Sequence, residues 1–205
     1  MIKPNHSVLH SKLIDAYIRF IIRTDFRDVI ITGDLESDNR SVLLVANHFS
    51  WWDGFFGWHI NAKIFKKRFH IMMLEKELAQ RMFFSRVGAF SINQKSRGVI
   101  ESLNFCSEVL SNPMNMLVMF PQGKLESLHS NHINFHKGVE RIVKQSPQAR
   151  VVFAACLTDY FAHRKPTLTI SLKEYIGSPN LMDMEQSYNH HLSQSIVEQE
   201  NIHTP

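Results

Sequence analysis

Two cysteines in 205 residues are too few for a disulfide framework, and Cys106 and Cys156 lie far apart in separate apolar segments. They fit no cysteine metal site either, so they read as buried thiols in a reducing compartment. Long apolar runs are missing too. Arg19 and Arg23 interrupt the best candidate, which leaves no segment able to span a bilayer. The N-terminus, MIKPNHSVLHSKL, lacks the charged-then-apolar order of a signal peptide. The expected location is therefore cytoplasmic, peripheral on the inner face of the membrane if the chain meets a membrane at all. No repeat and no low-complexity linker divides the sequence. No G-x-S-x-G elbow presents a nucleophilic serine.

What is present is globular. Hydrophobic residues make up 44% and charged residues 20%, a composition that buries a core without cross-links. A net charge of +4 favours anionic partners: nucleic acid, lipid headgroups or a phosphorylated donor. Nucleic acid would need the basic residues to join an aromatic platform or a reading helix, and neither is in evidence.

Residues 1–27 read as an N-terminal amphipathic helix. Leu13, Ile14, Tyr17, Ile18 and Ile21 recur at helical spacing, with Lys12, Asp15, Arg19 and Arg23 opposite. Such a helix either lies in a headgroup layer or packs on the domain. Over 28–205, strand patterns such as VIITGDL, SVLLVAN, FHIMML, GAFSI, NMLVMF and RVVFAACL alternate with helical ones, among them Asp53 to Ala62, Glu75 to Arg86 and 137–145. That alternation predicts one α/β domain with a largely parallel central sheet flanked by helices.

The strand SVLLVAN runs out into Asn47-His48, and Asp53 follows five residues after the histidine. Ligand sites in open α/β sheets collect at such carboxyl ends. A carboxylate bonded to one imidazole nitrogen fixes the tautomer and leaves the other as a proton acceptor. With no serine elbow nearby, the simplest chemistry is direct: His48 deprotonates a substrate hydroxyl, which attacks an activated acyl group. On spacing alone, a strand-end histidine beside a helix-capping aspartate is the plainer reading. A second strand, NMLVMF, runs into PQGKLES, where Pro121 stops the strand and Gly123 lets backbone approach a ligand.

In these blocks the sequence resembles the glycerolipid acyltransferases, the superfamily of lysophosphatidic acid acyltransferases. Asn47-His48 and Asp53 match the family's N-H-x4-D. Gly88 to Asn93 approximates G-x-x-F-[IV]-[DN]-R, Phe120 to Glu126 approximates F-P-E-G-T-R-S, and Phe135 to Gly138 is similar to F-K-x-G. The blocks keep their order over roughly residues 28 to 160. The resemblance implies a catalytic dyad of His48 and Asp53, with acceptor contacts at Asn93, Arg97, Gln122, Gly123 and Lys124. It implies acyl-CoA or acyl carrier protein as donor, and a lyso-glycerolipid such as 1-acylglycerol-3-phosphate as acceptor. No metal or other cofactor is implied. The alternatives are acylation of a lyso-aminolipid or glycolipid, and a non-catalytic lipid-binding protein with the same fold. Phosphate-reading members carry arginines where Gln94 and Leu125 align here, and a glutamate where Gln122 stands. Arginine's planar fork suits phosphate, so the departure predicts an acceptor without a free phosphomonoester unless Lys95, Arg97 or Lys124 compensates.

Three other stretches carry weaker signals. His129, His132 and His136 have a spacing seen in zinc sites, but they lie in a Ser/Asn-rich loop without an obvious further ligand. Lys63, Lys66, Lys67 and Arg68 form a basic segment, either solvated or attractive to anionic lipid and donor phosphates. Trp51 and Trp52 suit an acyl site or a membrane interface, with core packing the expectation for at least one of them.

Overall fold

Strands β1 (Asp28–Thr32), β2 (Val42–Ala46), β3 (Arg68–Leu74), β4 (Ala89–Ile92), β5 (Asn115–Met119), β6 (Arg150–Asp159) and β7 (Thr167–Tyr175) form one sheet, in the order β1-β7-β6-β2-β5-β3-β4. This computed structural model describes residues 1–35, 38–92 and 96–202, without the side chains of residues 96 and 97. From β6 across to β4 the strands run parallel, as the alternating pattern predicts. β7 turns back antiparallel to β6 and carries β1 parallel to itself. The reversal has a local cause. A short connection around Phe161, at φ 46°, joins β6 to β7, and a parallel pair would need a crossover of a dozen or more residues.

Alternate side chains of the central strands face opposite ways. Leu43, Val45, Leu117 and Met119 pack with α4 (Ser96–Leu110), α5 (Gly138–Gln145) and α6 (Leu181–Glu200) through Leu103, Ile142 and Tyr188. Val42, Leu44, Met116 and Val118 pack on the other face with Phe56 and Ile60 of α2 (Asp53–Ile60). Covered on both sides, β2 and β5 are buried along their whole length, which is why both read as continuous apolar runs. The two cysteines end in opposite layers, Cys106 in the first and Cys156 in the second. Burial pushes the Cys106 thiol up to about 12 and raises that of Cys156 as well, so neither is poised to react.

Two expected helices are shorter than their patterns. The one from Glu75 stops at Gln80 as α3, and Met82–Val87 continue as 3-10 turns. Gly88 ends them at φ 106°, where a Cβ would lie 2.0 Å from the Phe69 carbonyl oxygen. After Ile60, the chain widens into a π turn, Asn61–Phe65, closed by Lys66 at φ 53°. The Asn61 side chain holds that turn by donating to Lys67 O and accepting from Lys67 N.

The N-terminal helix α1 (Val8–Asp25) has two apolar faces where the sequence pattern suggests one. Ile14, Ile18, Ile21 and Ile22 are buried against Phe55 and Val87. Leu13 and Tyr17, expected to join them, point outward with Leu9 and Phe20. Asp15 is tied down by the Trp58 indole, which donates at 3.2 Å, and by Arg19 at 2.8 Å.

Candidate active site

Register sets the site. Val45 of β2 lies beside Met119 of β5, so His48 and Gln122, each three residues further on, leave the sheet side by side. The Gln122 side-chain oxygen, Oε1, accepts from the His48 backbone N–H at 2.7 Å. Its amide then donates to Glu126 at 2.7 Å, and the Glu126 N–H returns to the His48 carbonyl at 2.9 Å. Two loops from adjacent strands are closed into one unit. The Gln122 amide, with Lys124 at 3.3 Å, holds the Glu126 carboxyl below the usual carboxylate range.

Asp53 opens α2 yet does not cap it; the N-cap position belongs to Trp52, which makes no side-chain capping bond. Instead the carboxylate folds back over the loop. Its Oδ2 accepts from Phe49 N at 2.7 Å, from Ser50 N at 2.9 Å and from His48 Nδ1 at 2.7 Å, and Oδ1 accepts from Ser50 Oγ at 2.7 Å. Four bonds offset the cost of burying a group that is 3% exposed. With two backbone N–H groups already on Oδ2, that atom is an acceptor, so His48 Nδ1 carries the proton and Nε2 presents a lone pair. The imidazole also stacks on Phe120, with ring centres 4.3 Å apart and planes inclined by 11°.

On the third side, Asn47 stitches β2 to β6. Its amide donates to Cys156 O and its oxygen accepts from Cys156 N, both at 2.8 Å. Behind it lies Tyr188 of α6, wholly buried and donating to Ala154 O at 2.8 Å. Burial raises the Tyr188 phenol well above its ordinary value, so it serves as a neutral donor.

His48 faces a groove of about 1500 Å³. One arm is apolar, lined by Ile14 and Ile18 of α1, Phe55 and Trp58 of α2, and Phe69 and Ile71 of β3. The other passes Gly123, Lys124 and His136 to reach α5. Of the tryptophans, Trp51 is exposed at the groove and Trp52 packs between Phe26 and Phe56.

The structure brings His48, Asp53, Gln122, Gly123 and Lys124 together. Lys124 is exposed on the groove wall, whereas Gln122 is buried with both amide atoms engaged. Asn93, with Gln94 and Lys95, lies outside the described residues, as does the side chain of Arg97. Sequence reasoning assigned no role to Phe120, Asn47 or Glu126, although all three stand in the motif blocks. Tyr188 sends no local signal because it meets Ala154 and Asn47, 34 and 141 residues away, only in the folded chain. The three loop histidines are exposed, and among the described residues no His, Cys, Asp and Glu group forms a metal cluster. In the basic segment, Lys63 and Lys66 line a separate notch with Arg19 and His59, while Lys67 donates to Pro113 O.

Because Gln122 donates where an acid would repel, Gln122→Glu is expected to set two carboxylates against each other. The expected loss is about 1–3 kcal/mol of stability near neutral pH, shrinking as pH falls through the carboxylate range. Gln122→Glu combined with Glu126→Gln re-forms a donor–acceptor pair and should recover most of it in thermal melts. A single variant as stable as the parent would show that the bridge contributes nothing.

Comparison with known proteins adds one match. A family model described as Acyltransferase covers residues 24–157, which includes both loops and the central strands. No curated protein matches the chain.

Proposed function

As a member of the glycerolipid acyltransferase family, the protein is a lipid acyltransferase, and we propose that it moves a fatty acyl group from an acyl thioester to a lipid hydroxyl with His48 as general base. The observation that carries this reading is His48 itself: one ring nitrogen sits on a buried carboxylate and the ring faces a groove with an apolar arm. Nε2 takes the proton of the acceptor hydroxyl as its oxygen attacks the thioester carbonyl carbon. The tetrahedral intermediate collapses by breaking the C–S bond, and the imidazolium returns its proton to the leaving sulfur, which departs as a thiol. Such a positioned base is worth ~10²–10⁴ in rate. The apolar arm suits the acyl chain, and the exposed Trp51 also lines the groove. The proposed donors are acyl-CoA or acyl carrier protein, and the proposed acceptor is a lyso-glycerolipid such as 1-acylglycerol-3-phosphate.

One observation favours a second acceptor class. Leu125 stands where phosphate-reading relatives carry an arginine, and it lies exposed on the groove. A lyso-aminolipid or glycolipid, without a free phosphomonoester, suits that wall better. Steady-state transfer assays with acyl-CoA and acyl carrier protein donors, against lysophosphatidic acid and a lyso-aminolipid, test both readings. No transfer to any lipid hydroxyl would overturn the enzymatic proposal.

We propose a peripheral membrane position, on the inner face, and the outward face of α1 supports the membrane contact. Leu9, Leu13, Tyr17 and Phe20 form an exposed apolar stripe, with Lys12, Arg19 and Arg23 along one edge. Among the described residues no helix is long and apolar enough to cross a membrane. Burying one Leu and one Phe in the interface is worth roughly 3–6 kcal/mol together. Leu13→Glu with Phe20→Glu is thus expected to lower partitioning onto anionic liposomes at least about 100-fold, and Arg19→Glu with Arg23→Glu to weaken it most at low salt. Unchanged sedimentation in both pairs would leave α1 a packing helix only.

A further inference from the structure

Helix α5 forms the polar wall of the groove, and the dyad makes no use of it. Val139 and Ile142 bury one side of the helix in the core. Lys137, at its N-cap, is followed four residues on by Arg141 and three further on by Lys144, a single stripe along the opposite side. All three line the groove, as does Lys124 from the loop beside His48. Carboxylates neutralise part of this wall: Glu140 takes Lys144 at 2.7 Å and Glu126 takes Lys124 at 3.3 Å. Lys137 and Arg141 have no carboxylate within ion-pair distance among the described residues. Arg141 donates through Nη2 to Asn104 at 3.0 Å, and its Nε is buried without an acceptor. The guanidinium is therefore short of its bonding capacity, and swinging onto an anion would cost it one neutral hydrogen bond.

We infer that the α5 wall, centred on Arg141 and Lys137, is a phosphate-binding subsite of the acyl-transfer groove. The inference rests on the acyltransfer reading above and extends it to the recognition of substrate charge. A guanidinium fork beside an ammonium matches phosphate oxygens with charge-assisted bonds, and a groove focuses that field more than an open surface does. The apolar lining from α1 and α2 suits the acyl chain. A phosphate on α5 then belongs to a polar part of the substrates, either the carrier of the thioester or the headgroup of the acceptor.

Purified wild-type protein, Arg141→Gln and Lys137→Gln separate the sources. Donor preference is the ratio of kcat/KM for acyl-CoA to that for the acyl thioester of N-acetylcysteamine, which has no phosphate. Acceptor preference is the same ratio for lysophosphatidic acid against monoacylglycerol. A donor preference that falls at least about tenfold, the worth of one charge-assisted bond, assigns the subsite to the carrier; a similar fall in acceptor preference assigns it to the headgroup. Calorimetric titration with free CoA and with lysophosphatidic acid reads the subsite without turnover. Weaker binding of either ligand in Arg141→Gln, with Lys137→Gln alongside as an exposed and structurally mild variant, supports it. If wild-type protein transfers no acyl group yet binds CoA in an Arg141-dependent way, the acyltransfer reading fails and the phosphate subsite stands. Both ratios and both affinities unchanged in the two variants overturn the inference.

Discussion

Folded His48→Ala protein is expected to lose about 10²–10⁴ in kcat while retaining the parent's melting temperature to within a degree or two. The ring is only partly buried, stacked on Phe120 and open to the groove, so removing it takes away the base and little packing. Asp53→Asn should act more gently than a tautomer argument from spacing implies. Phe49 N and Ser50 N both donate to Oδ2, so an asparagine turns its carbonyl oxygen to that position and still accepts from His48 Nδ1. What is lost is the negative charge beside the imidazolium. A charge-assisted bond is roughly twice as strong as a neutral one, which sets the expected drop at about ten- to thirtyfold in kcat. Asp53→Leu leaves the two loop N–H groups and the ring nitrogen unpaired and should lose both activity and stability. Turnover by folded His48→Ala within a few-fold of wild type would remove the histidine from the mechanism. An Asp53→Asn loss as deep as that of His48→Ala would show that the backbone donors do not govern the carbonyl's orientation.

The second large effect is expected at Gly123. Its φ of 65° lies in the left-handed region, and a Cβ there would meet His136 Cδ2 at 2.8 Å. The exposed His136 ring can rotate aside, so the left-handed backbone conformation carries most of the cost. Gly123→Ala should therefore lose about 1–2 kcal/mol, or roughly 2–8 °C in Tm for a chain of this length. Activity should fall with it, since the neighbouring Gln122 is bonded to the His48 backbone. Gly54→Ala is the control. A Cβ at that helical position meets only Ile71 Cδ1, at 3.5 Å, so stability should hold or rise by up to about 1 kcal/mol. A Gly123→Ala protein with unchanged Tm and turnover would show that the loop tolerates a side chain and that its left-handed turn is not required.

Much of this molecule is legible in one dimension. Apolar runs at β2 and β5 mark strands covered on both faces, and the alternation of strand and helix patterns marks the α/β sheet. His48 and Asp53 meet within a single loop, so their spacing carries their geometry. The order of the motif blocks likewise points to the family that the chain matches. Contacts between elements are another matter. α1 divides its apolar residues between the domain and solvent because Phe55 and Val87 accept Ile14 and Ile18 and leave Leu13 outside. Helical periodicity alone groups those residues together. Gln122 meets His48 because the pairing of Val45 with Met119 brings two distant loops level, and a slip of one residue would have turned the glutamine to the other face. Tyr188 reaches Ala154 and Asn47 only after α6 docks across β6. The basic stripe of α5 becomes a groove wall only because Val139 and Ile142 are buried behind it. Spacing encodes what neighbours along the chain can reach. Strand order, register and the docking of helices decide which distant residues share a surface, because those are settled by burying the whole core at once.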